Sequence, residues 1–234
     1  IKDLNNDYEI NTEYIIYYKN EEKIQTIGKT QSFIQSKYDI MSSDLHYLVD
    51  IKQLSSKKNT LIKDKESQLY KLTKFNYQIN DEILKGENIL IITNHNLPKS
   101  DKFFFKNAII DLKQQKFLAK DTNIKIHKNI FDNSDNDPRL MGVSSSGNEE
   151  ITIVNKGTFT SCKINDDCPP WSISANKIVH NKNKKQLTYE SALLKIYDVP
   201  VLYFPKFFHP DPTVIRQSGL LKPEINESDV LGSS

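Results

Sequence analysis

The chain has 234 residues, which is enough for one large domain or two small ones with a sizeable buried core. Its 32 basic and 30 acidic side chains nearly cancel, and this excludes the one-signed field on which nucleic-acid binding relies. Apolar runs such as residues 89–92 and 199–204 are far shorter than the roughly 20 residues of a membrane-spanning helix, so we expect none.

Short runs rich in Ile, Tyr, Phe, Val and Thr recur between residues 11 and 128, separated by clusters of Asn, Asp, Lys and Ser. Alternation at every second residue is typical of strands with one buried face, as in Tyr38 and Ile40 or Ala108 and Ile110. The window 66–74 fits a strand as well as an amphipathic helix. The sequence therefore predicts an all-β protein.

The polar segment DNSDNDP, residues 132–138, predicts a loop, because it contains no apolar side chain. Seven of the nine prolines lie beyond Cys168. Proline cannot donate to a β-ladder, so this part of the chain is expected to contain edge strands and extended connectors.

No residue pattern indicates catalysis or a cofactor. The five histidines are widely separated and lack zinc-ligand spacing, and there is no nucleophile elbow or nucleotide-binding glycine motif. The acidic residues Asp132, Asp135 and Asp137 superficially suggest a calcium loop, but Pro138 stands where a glycine is needed. We therefore predict no enzyme activity, no cofactor and no metal site.

Cys162 and Cys168 lie close together, beside Asp166 and Asp167. Neighbouring negative charge raises a thiol pKa, which disfavours a reactive cysteine. A structural disulfide, with each other or with cysteines elsewhere, is the preferred interpretation if the compartment is oxidising.

Four motifs in series between Gly157 and Pro223 resemble one family in order and spacing. They are GTFTSC at 157–162, WSISANKIVH at 171–180, DVPVLYFP at 198–205 and RQSGLLKP at 216–223. This series is similar to the lipopolysaccharide-assembly outer-membrane protein LptD, also called organic solvent tolerance protein. The preceding strands match that family by pattern rather than by motif.

The resemblance implies a folded-over β-jellyroll, also called a β-taco or OstA-like fold, made of stacked antiparallel strands. By this reading residues 1–168 form a periplasmic lipid-carrying domain. Residues 169–234 contain closing strands, a proline-rich linker and the start of the first strand of an outer-membrane barrel that is missing here. Pro223 matches a proline that weakens the first barrel strand beside the lateral gate. Cys162 matches a cysteine that the family pairs with a barrel cysteine, whereas the partner of Cys168 stays open.

The implied function is transport of lipopolysaccharide through the periplasm into the outer membrane. The expected partners are lipopolysaccharide itself, the bridge protein LptA or a similar protein at the edge strand Asn11 to Tyr18, and the plug lipoprotein LptE in the barrel. The residues expected to line a lipid path are Tyr38, Ile40, Tyr47, Val49, Phe75, Tyr77, Ile89, Ile91, Phe103, Phe105, Ile110 and Ile126.

Three alternatives remain open on the sequence. The same inward residues could fill a closed sandwich core, because alternation does not distinguish a groove from a core. The chain could also be a β-solenoid binding or adhesion module that recognises sugar or protein, or an all-β hydrolase. A hydrolase would need convergent carboxylates or a Ser–His pair, which the sequence does not signal.

Overall fold

The computed structural model describes residues 2–3, 7–97, 100–127, 137–163, 170–211, 214, 227–228 and 232–233. The regular structure in these ranges is β-strand, apart from a single-turn 3₁₀ helix at Lys19–Glu21, and the predicted all-β class is therefore confirmed. No helix in the described part of the chain is long and apolar enough to cross a membrane.

Contacts divide the chain into unit 1, Ile1–Ile124, and unit 2, Lys125–Ser234. This boundary does not say which residues carry lipid, so the functional division at residues 168 and 169 stays a prediction. Unit 1 contains β1 to β12, with the last residue of β12 at the boundary. Their bounds are β1 Lys2–Asp3, β2 Tyr8–Tyr18, β3 Lys23–Ile34, β4 Tyr38–Ser43, β5 His46–Leu48, β6 Gln53–Ser56, β7 Thr60–Asp64, β8 Leu69–Leu72, β9 Lys74–Gln78, β10 Ile83–Ile92, β11 Lys102–Asp111 and β12 Lys116–Lys125.

The long strands β3 and β10 each belong to two sheets. Antiparallel pairing runs from the end of β3 through β4, β7 and β8 to the end of β10, which we call the β4 sheet. A second route runs from the start of β3 through β5, β6 and β9 to the start of β10, which we call the β5 sheet. Because the same strands pass through both sheets, unit 1 is one antiparallel sheet folded over along a line of corners.

Each corner is a local break in the strand alternation. Asn88 of β10 has a left-handed φ of 49°, and the register with β11 skips from the pair Glu87 and Asn107 to the pair Ile89 and Phe105. Each strand passes one unpaired residue at this point and the register is unchanged, so the left-handed Asn88 turns the backbone without an extra residue. The bend makes two neighbouring residues face outward, as Lys106 and Asn107 do between the buried Phe105 and Ala108.

The corner interior of unit 1 is lined by small hydroxyl residues. Thr30 donates to Thr26 at 2.8 Å, and the Thr26 oxygen also accepts the Leu45 N–H at 2.9 Å. The Ser42 and Thr60 hydroxyl oxygens lie 2.7 Å apart. These side chains are buried and satisfy one another, so the chain can fold back sharply without leaving these polar groups unpaired.

Unit 2 repeats the folded-over arrangement in a simple meander. The strands that follow the boundary pair antiparallel in chain order from β13 to β17, and β18 pairs with β19. Corners recur at Lys156 and Ser191, which have left-handed φ values of 46° and 54°. The bounds are β13 Arg139–Gly147, β14 Ile151–Thr160, β15 Trp171–Asn181, β16 Gln186–Ile196, β17 Val199–Pro210, β18 Glu227–Ser228 and β19 Gly232–Ser233.

A row of small residues forms the inner side of the unit 2 corner. Gly142, Gly157, Ala175 and Ala192 are cross-strand neighbours on β13 to β16. A Cβ atom added at Gly157 would lie 2.9 Å from Cδ1 of Ile178, which is closer than ordinary packing allows. An alanine in place of the glycine of the GTFTSC motif would therefore require the Ile178 side chain to shift.

Candidate functional site

Most of the residues that were predicted to line a lipid path lie on the inner face of the folded-over sheets, while Val49 lies in the turn after β5 and Ile126 just after β12. Tyr47 and Val49 are half-buried. The other ten are buried, nine in unit 1 and Ile126 in unit 2: Tyr38, Ile40, Phe75, Tyr77, Ile89, Ile91, Phe103, Phe105, Ile110 and Ile126. Burial establishes which way these side chains face, and their contact with lipid stays a prediction.

Sequence reasoning missed several inward residues because their inner neighbours are not apolar. Leu54 is fully buried, but the next inward residue of β6 is Ser56, a buried corner hydroxyl. A single leucine among serines shows no apolar alternation. In β7 the same pattern fails at Ile62, because the inward residue two positions earlier is Thr60. Other buried residues that were not named are Tyr8, Tyr70, Leu72, Leu84, Ile124, Val154 and Ile178.

Aromatic rings connect the two sheets of unit 1 across the interior. Tyr38 of the β4 sheet meets Tyr77 of the β5 sheet edge to face, with ring centroids 5.8 Å apart. Tyr8 meets Tyr47 in the same way at 6.3 Å. The inner faces of the two sheets therefore touch at these points.

The inner face also carries buried tyrosine hydroxyls. Burial raises the pKa of Tyr38, Tyr70 and Tyr77 well above the usual value for tyrosine, so these hydroxyls stay neutral. Tyr38 donates to Glu82 at 3.0 Å, and Tyr70 donates to Asp64 at 3.3 Å. The Tyr77 hydroxyl has no hydrogen-bond partner among the described residues.

An open cavity of about 470 Å³ lies beside the turn between β3 and β4. Its wall includes the rings of Tyr8 and Tyr38 and the charged side chains of Lys37, Lys63 and Asp64. Aromatic surface beside charged groups suits a ligand with both apolar and polar parts. The buried Tyr38 and the 37% exposed Phe33 both line this cavity.

Strand β2 presents an apolar outer part. Tyr14, Ile16 and Tyr17 are 67%, 39% and 56% exposed. Between Asn11 and Tyr18 the strand pairs antiparallel with β3, and the register shifts between Thr12 and Tyr14. This is the segment that was predicted to serve as a docking edge.

The described motif residues of unit 2 hold the end of β14 against the start of β15. Thr160 donates to the Trp171 carbonyl at 2.8 Å, and the ring of Phe159 packs against Trp171 at a centroid distance of 6.0 Å. Cys162 is half-buried, with its Sγ 3.6 Å from the same carbonyl oxygen, and Arg139 donates to the Cys162 carbonyl. Cys168 and Pro223 lie outside the described residues, so the disulfide and lateral-gate predictions stay predictions.

Unit 2 contains two histidines with close polar contacts, the buried His180 and the half-buried His209. His180 Nε2 contacts Asp211 Oδ2, and both side chains are at least nine-tenths buried. Tyr189 donates to His209 Nε2 at 2.7 Å, while His209 Nδ1 donates to the Pro210 carbonyl at 2.6 Å. Among the residues that the structure describes, no group of three or more His, Cys, Asp or Glu side chains is arranged to hold a metal ion.

Comparison with known proteins finds relatives that share one name. A protein named LPS-assembly protein LptD from Pseudoalteromonas translucida is 33% identical over 96 residues, which covers 38% of this chain and 12% of that protein. A second, from Hahella chejuensis, is 32% identical over 85 residues and covers 36% of the chain and 10% of the relative. A third, from Mannheimia succiniciproducens, is 26% identical over 178 residues, which covers 70% of this chain and 22% of that protein.

No family model matches the chain. The chain spans only between 10% and 22% of the length of these three relatives. The relationship therefore concerns a minor part of each of these relatives.

Proposed function

Because this chain belongs to the family of LPS-assembly protein LptD, we propose that it carries the acyl chains of lipopolysaccharide on its inner face. It delivers them to an outer-membrane barrel for insertion in the outer leaflet, and it works in the periplasm and at the outer membrane. The observation that carries this proposal is the match to several proteins of that one name.

The physical support is that the inner face of unit 1 is largely apolar and shielded from water. A saturated acyl chain of about twelve carbons gains roughly 10 kcal/mol on leaving water, at about 0.8 kcal/mol per CH₂ group. Inward residues such as Ile40, Phe75 and Phe105 offer that environment. The sugars of the lipid remain in water, so only its chains enter.

This transport needs no catalytic residue, because the chain would only lower the free energy of acyl chains between two membranes. The driving force comes from an energy-coupled partner elsewhere that moves lipid along the path. The buried aromatic and aliphatic side chains are therefore the functional residues of the proposal.

The proposed route of delivery begins at the exposed edge of β2. A bridge protein, LptA or a similar one, would add a strand to Asn11 to Tyr18 by backbone hydrogen bonds. Apolar side chains such as Tyr14 and Tyr17 would then be covered on docking. LptE would act at the outer-membrane barrel.

Two neighbouring isoleucines of β11 provide a matched test of the lipid path. Ile110 is buried at 5% exposure, whereas Ile109 is 44% exposed on the opposite face. With the photo-reactive residue p-benzoylphenylalanine at each position in turn, we expect lipopolysaccharide to be labelled from Ile110 and not from Ile109. Phe105 and Phe104 provide a second pair, in which the new side chain replaces an aromatic ring and disturbs packing less.

Equal labelling from both members of each pair would contradict the proposal, since lipid would then bind without regard to face. Absence of labelling from the inward members of both pairs, in chains that retain the circular dichroism of β-structure, would favour the closed core of a binding or adhesion module. The same variants therefore separate the two classes of function.

A further inference from the structure

The interior of unit 1 is closed differently on its two long sides. On the corner side β3 and β10 run from one sheet into the other, so covalent backbone and ladder hydrogen bonds join the sheets. On the opposite side each sheet ends in turns. The turn before Tyr38 ends the β4 sheet, and the turn before Ile83 ends the β5 sheet.

Among the residues that the structure describes, the contacts that join the sheets where these turns meet are made by side chains. Lys37 Nζ donates to Glu82 Oε1 at 2.6 Å, and the Tyr38 hydroxyl donates to Glu82 Oε2 at 3.0 Å. The Glu82 side chain is 10% exposed and that of Lys37 is 51% exposed. We call these three residues the tip bridge.

A second set of contacts lies further along the same side. Gln115, in the turn after β11, donates to Glu66 in the turn after β7, and it accepts from Gln68 at 3.4 Å. β11 extends the β5 sheet beside β10, whereas β7 belongs to the β4 sheet. The tip side is therefore fastened by polar side chains at two places.

The features next to the tip bridge suit an entrance. The cavity of about 470 Å³ is lined by both Lys37 and Tyr38, so solvent already reaches the outer side of the bridge. On its inner side the Tyr38 ring packs on Tyr77, whose buried hydroxyl has no partner among the described residues. An unpaired buried hydroxyl is costly, so this region loses less on opening than a fully satisfied core would.

We infer that the tip bridge is a latch: breaking the contacts of Lys37 and Tyr38 with Glu82 parts the two sheets at their tips, while the corner acts as the hinge. Opening the corner instead would break the backbone ladders that both sheets share. The latch admits an acyl chain from the side, so the chain need not thread from one end. The identity of this cargo rests on the proposed function, whereas the latch itself does not.

Thiol labelling of inward positions tests the latch without lipid. In a background with Cys162→Ser and Cys168→Ser, Ile40→Cys reports the interior near the tips, and Leu45→Cys reports the corner; both positions are 1% exposed. The latch variant combines Lys37→Met with Tyr38→Phe and leaves the Glu82 charge without its two donors. The matched control is Lys74→Met, which removes the 2.7 Å ion pair with Glu87 within one sheet.

We expect the latch variant to raise the maleimide labelling rate at Ile40→Cys about tenfold, as loss of two charge-assisted hydrogen bonds should. The rate at Leu45→Cys and the rates in Lys74→Met should stay within about twofold of the parent, as for a surface ion pair. An equal rise at both reporters would indicate general destabilisation and overturn the inference. An unchanged rate at Ile40→Cys would overturn it as well.

Covalent crosslinking of the tip bridge tests whether lipid enters through the latch. Lys37→Cys and Glu82→Cys, joined by a short bifunctional thiol reagent, should abolish lipopolysaccharide labelling from p-benzoylphenylalanine at Phe105, and the uncoupled pair should permit it. Labelling that survives locking would overturn the latch while leaving the proposed function intact. If neither form is labelled, the proposed function fails, and the thiol-labelling rates still decide whether the latch exists.

Discussion

At the scale of single residues, His209 is held in one protonation state by its surroundings. Its Nε2 accepts from the Tyr189 hydroxyl while its Nδ1 donates to the Pro210 carbonyl, so the neutral imidazole satisfies both contacts. Burial lowers the pKa of His209 below the usual 6.5, and the hydrogen bond to Pro210 offsets only part of this effect. The ring also packs on Phe159 at 5.0 Å.

This arrangement predicts that unit 2 loses stability in mild acid. As pH falls below about 6.5, the unfolded imidazole binds a proton before the folded one, so stability decreases until the pH passes the lower folded pKa. Urea unfolding followed by the fluorescence of Trp171, the single tryptophan, should show a smaller loss between pH 7.5 and 5.5 in His209→Gln. Tyr189→Phe keeps the burial and should keep the pH dependence. An equal loss in His209→Gln would contradict this assignment.

At the scale of elements, the corner of unit 2 depends on the row of small residues across β13 to β16. A Cβ atom at Gly142 would overlap Cγ1 of Val154 and lie 3.0 Å from the Asn155 carbonyl oxygen. Val154 is fully buried, so it has no free space into which to move. Crowding in a packed core is as unfavourable as a cavity.

Gly142→Ala should therefore destabilise unit 2 by about 1–3 kcal/mol. If the clash with Val154 is the cause, Val154→Ala should return the space, and the double variant should lose less than the sum of the two single losses. The same Trp171 fluorescence in urea measures all three free energies. Additive losses would show that Gly142 is needed for another reason.

Each long strand consists of two straight segments, which we call arms, joined at a corner. Alternation in the sequence was sufficient to predict the arms, but it could not reveal how the arms join. Phe103 and Phe105, like Ala108 and Ile110, follow period two and face inward as predicted. Between them Lys106 and Asn107 both face outward, so the buried residues Phe105 and Ala108 are three positions apart instead of two. In the sequence this spacing is typical of the end of one strand and the start of another. The corners at Asp121, Lys156 and Ser191 have left-handed φ values without the glycine that would announce them.

The candidate site was predictable to the same extent. The faces of Ile40, Phe75 and Tyr77 follow from local pattern. The tip bridge does not, because Lys37 and Glu82 are 45 residues apart and meet only when the sheet folds over. Neither residue belongs to a motif, and a lysine and a glutamate in turns are typical of a solvated surface.

At the scale of the whole molecule, the outer edge of β2 is the feature that calls for a partner. An exposed strand edge with apolar side chains is a site of unwanted pairing unless it is covered. The segment from Tyr14 to Tyr18 has no charged side chain, and proteins usually place charges on such edges to block association. Docking of a bridge protein would cover this edge.

Two substitutions at Ile16 separate backbone pairing from side-chain contact. Both Ile16→Pro and Ile16→Thr remove the isoleucine, which is 39% exposed, but only proline removes a backbone donor and constrains φ. We expect Ile16→Pro to abolish binding of LptA and Ile16→Thr to weaken it less than tenfold, as measured by surface plasmon resonance with the purified chain. Full binding by Ile16→Pro would place the docking surface elsewhere.

The corners also govern how such a protein can change length during evolution. Deleting one residue at a corner, for example Lys156, would rotate one arm of the strand by one position and turn its apolar side chains toward water. Adding or losing a whole hairpin preserves the direction in which the side chains of every remaining arm point. A change in the length of a turn preserves it as well. Viable descendants of this chain should therefore differ by complete hairpins and by turn length, while the residue count of each arm is preserved.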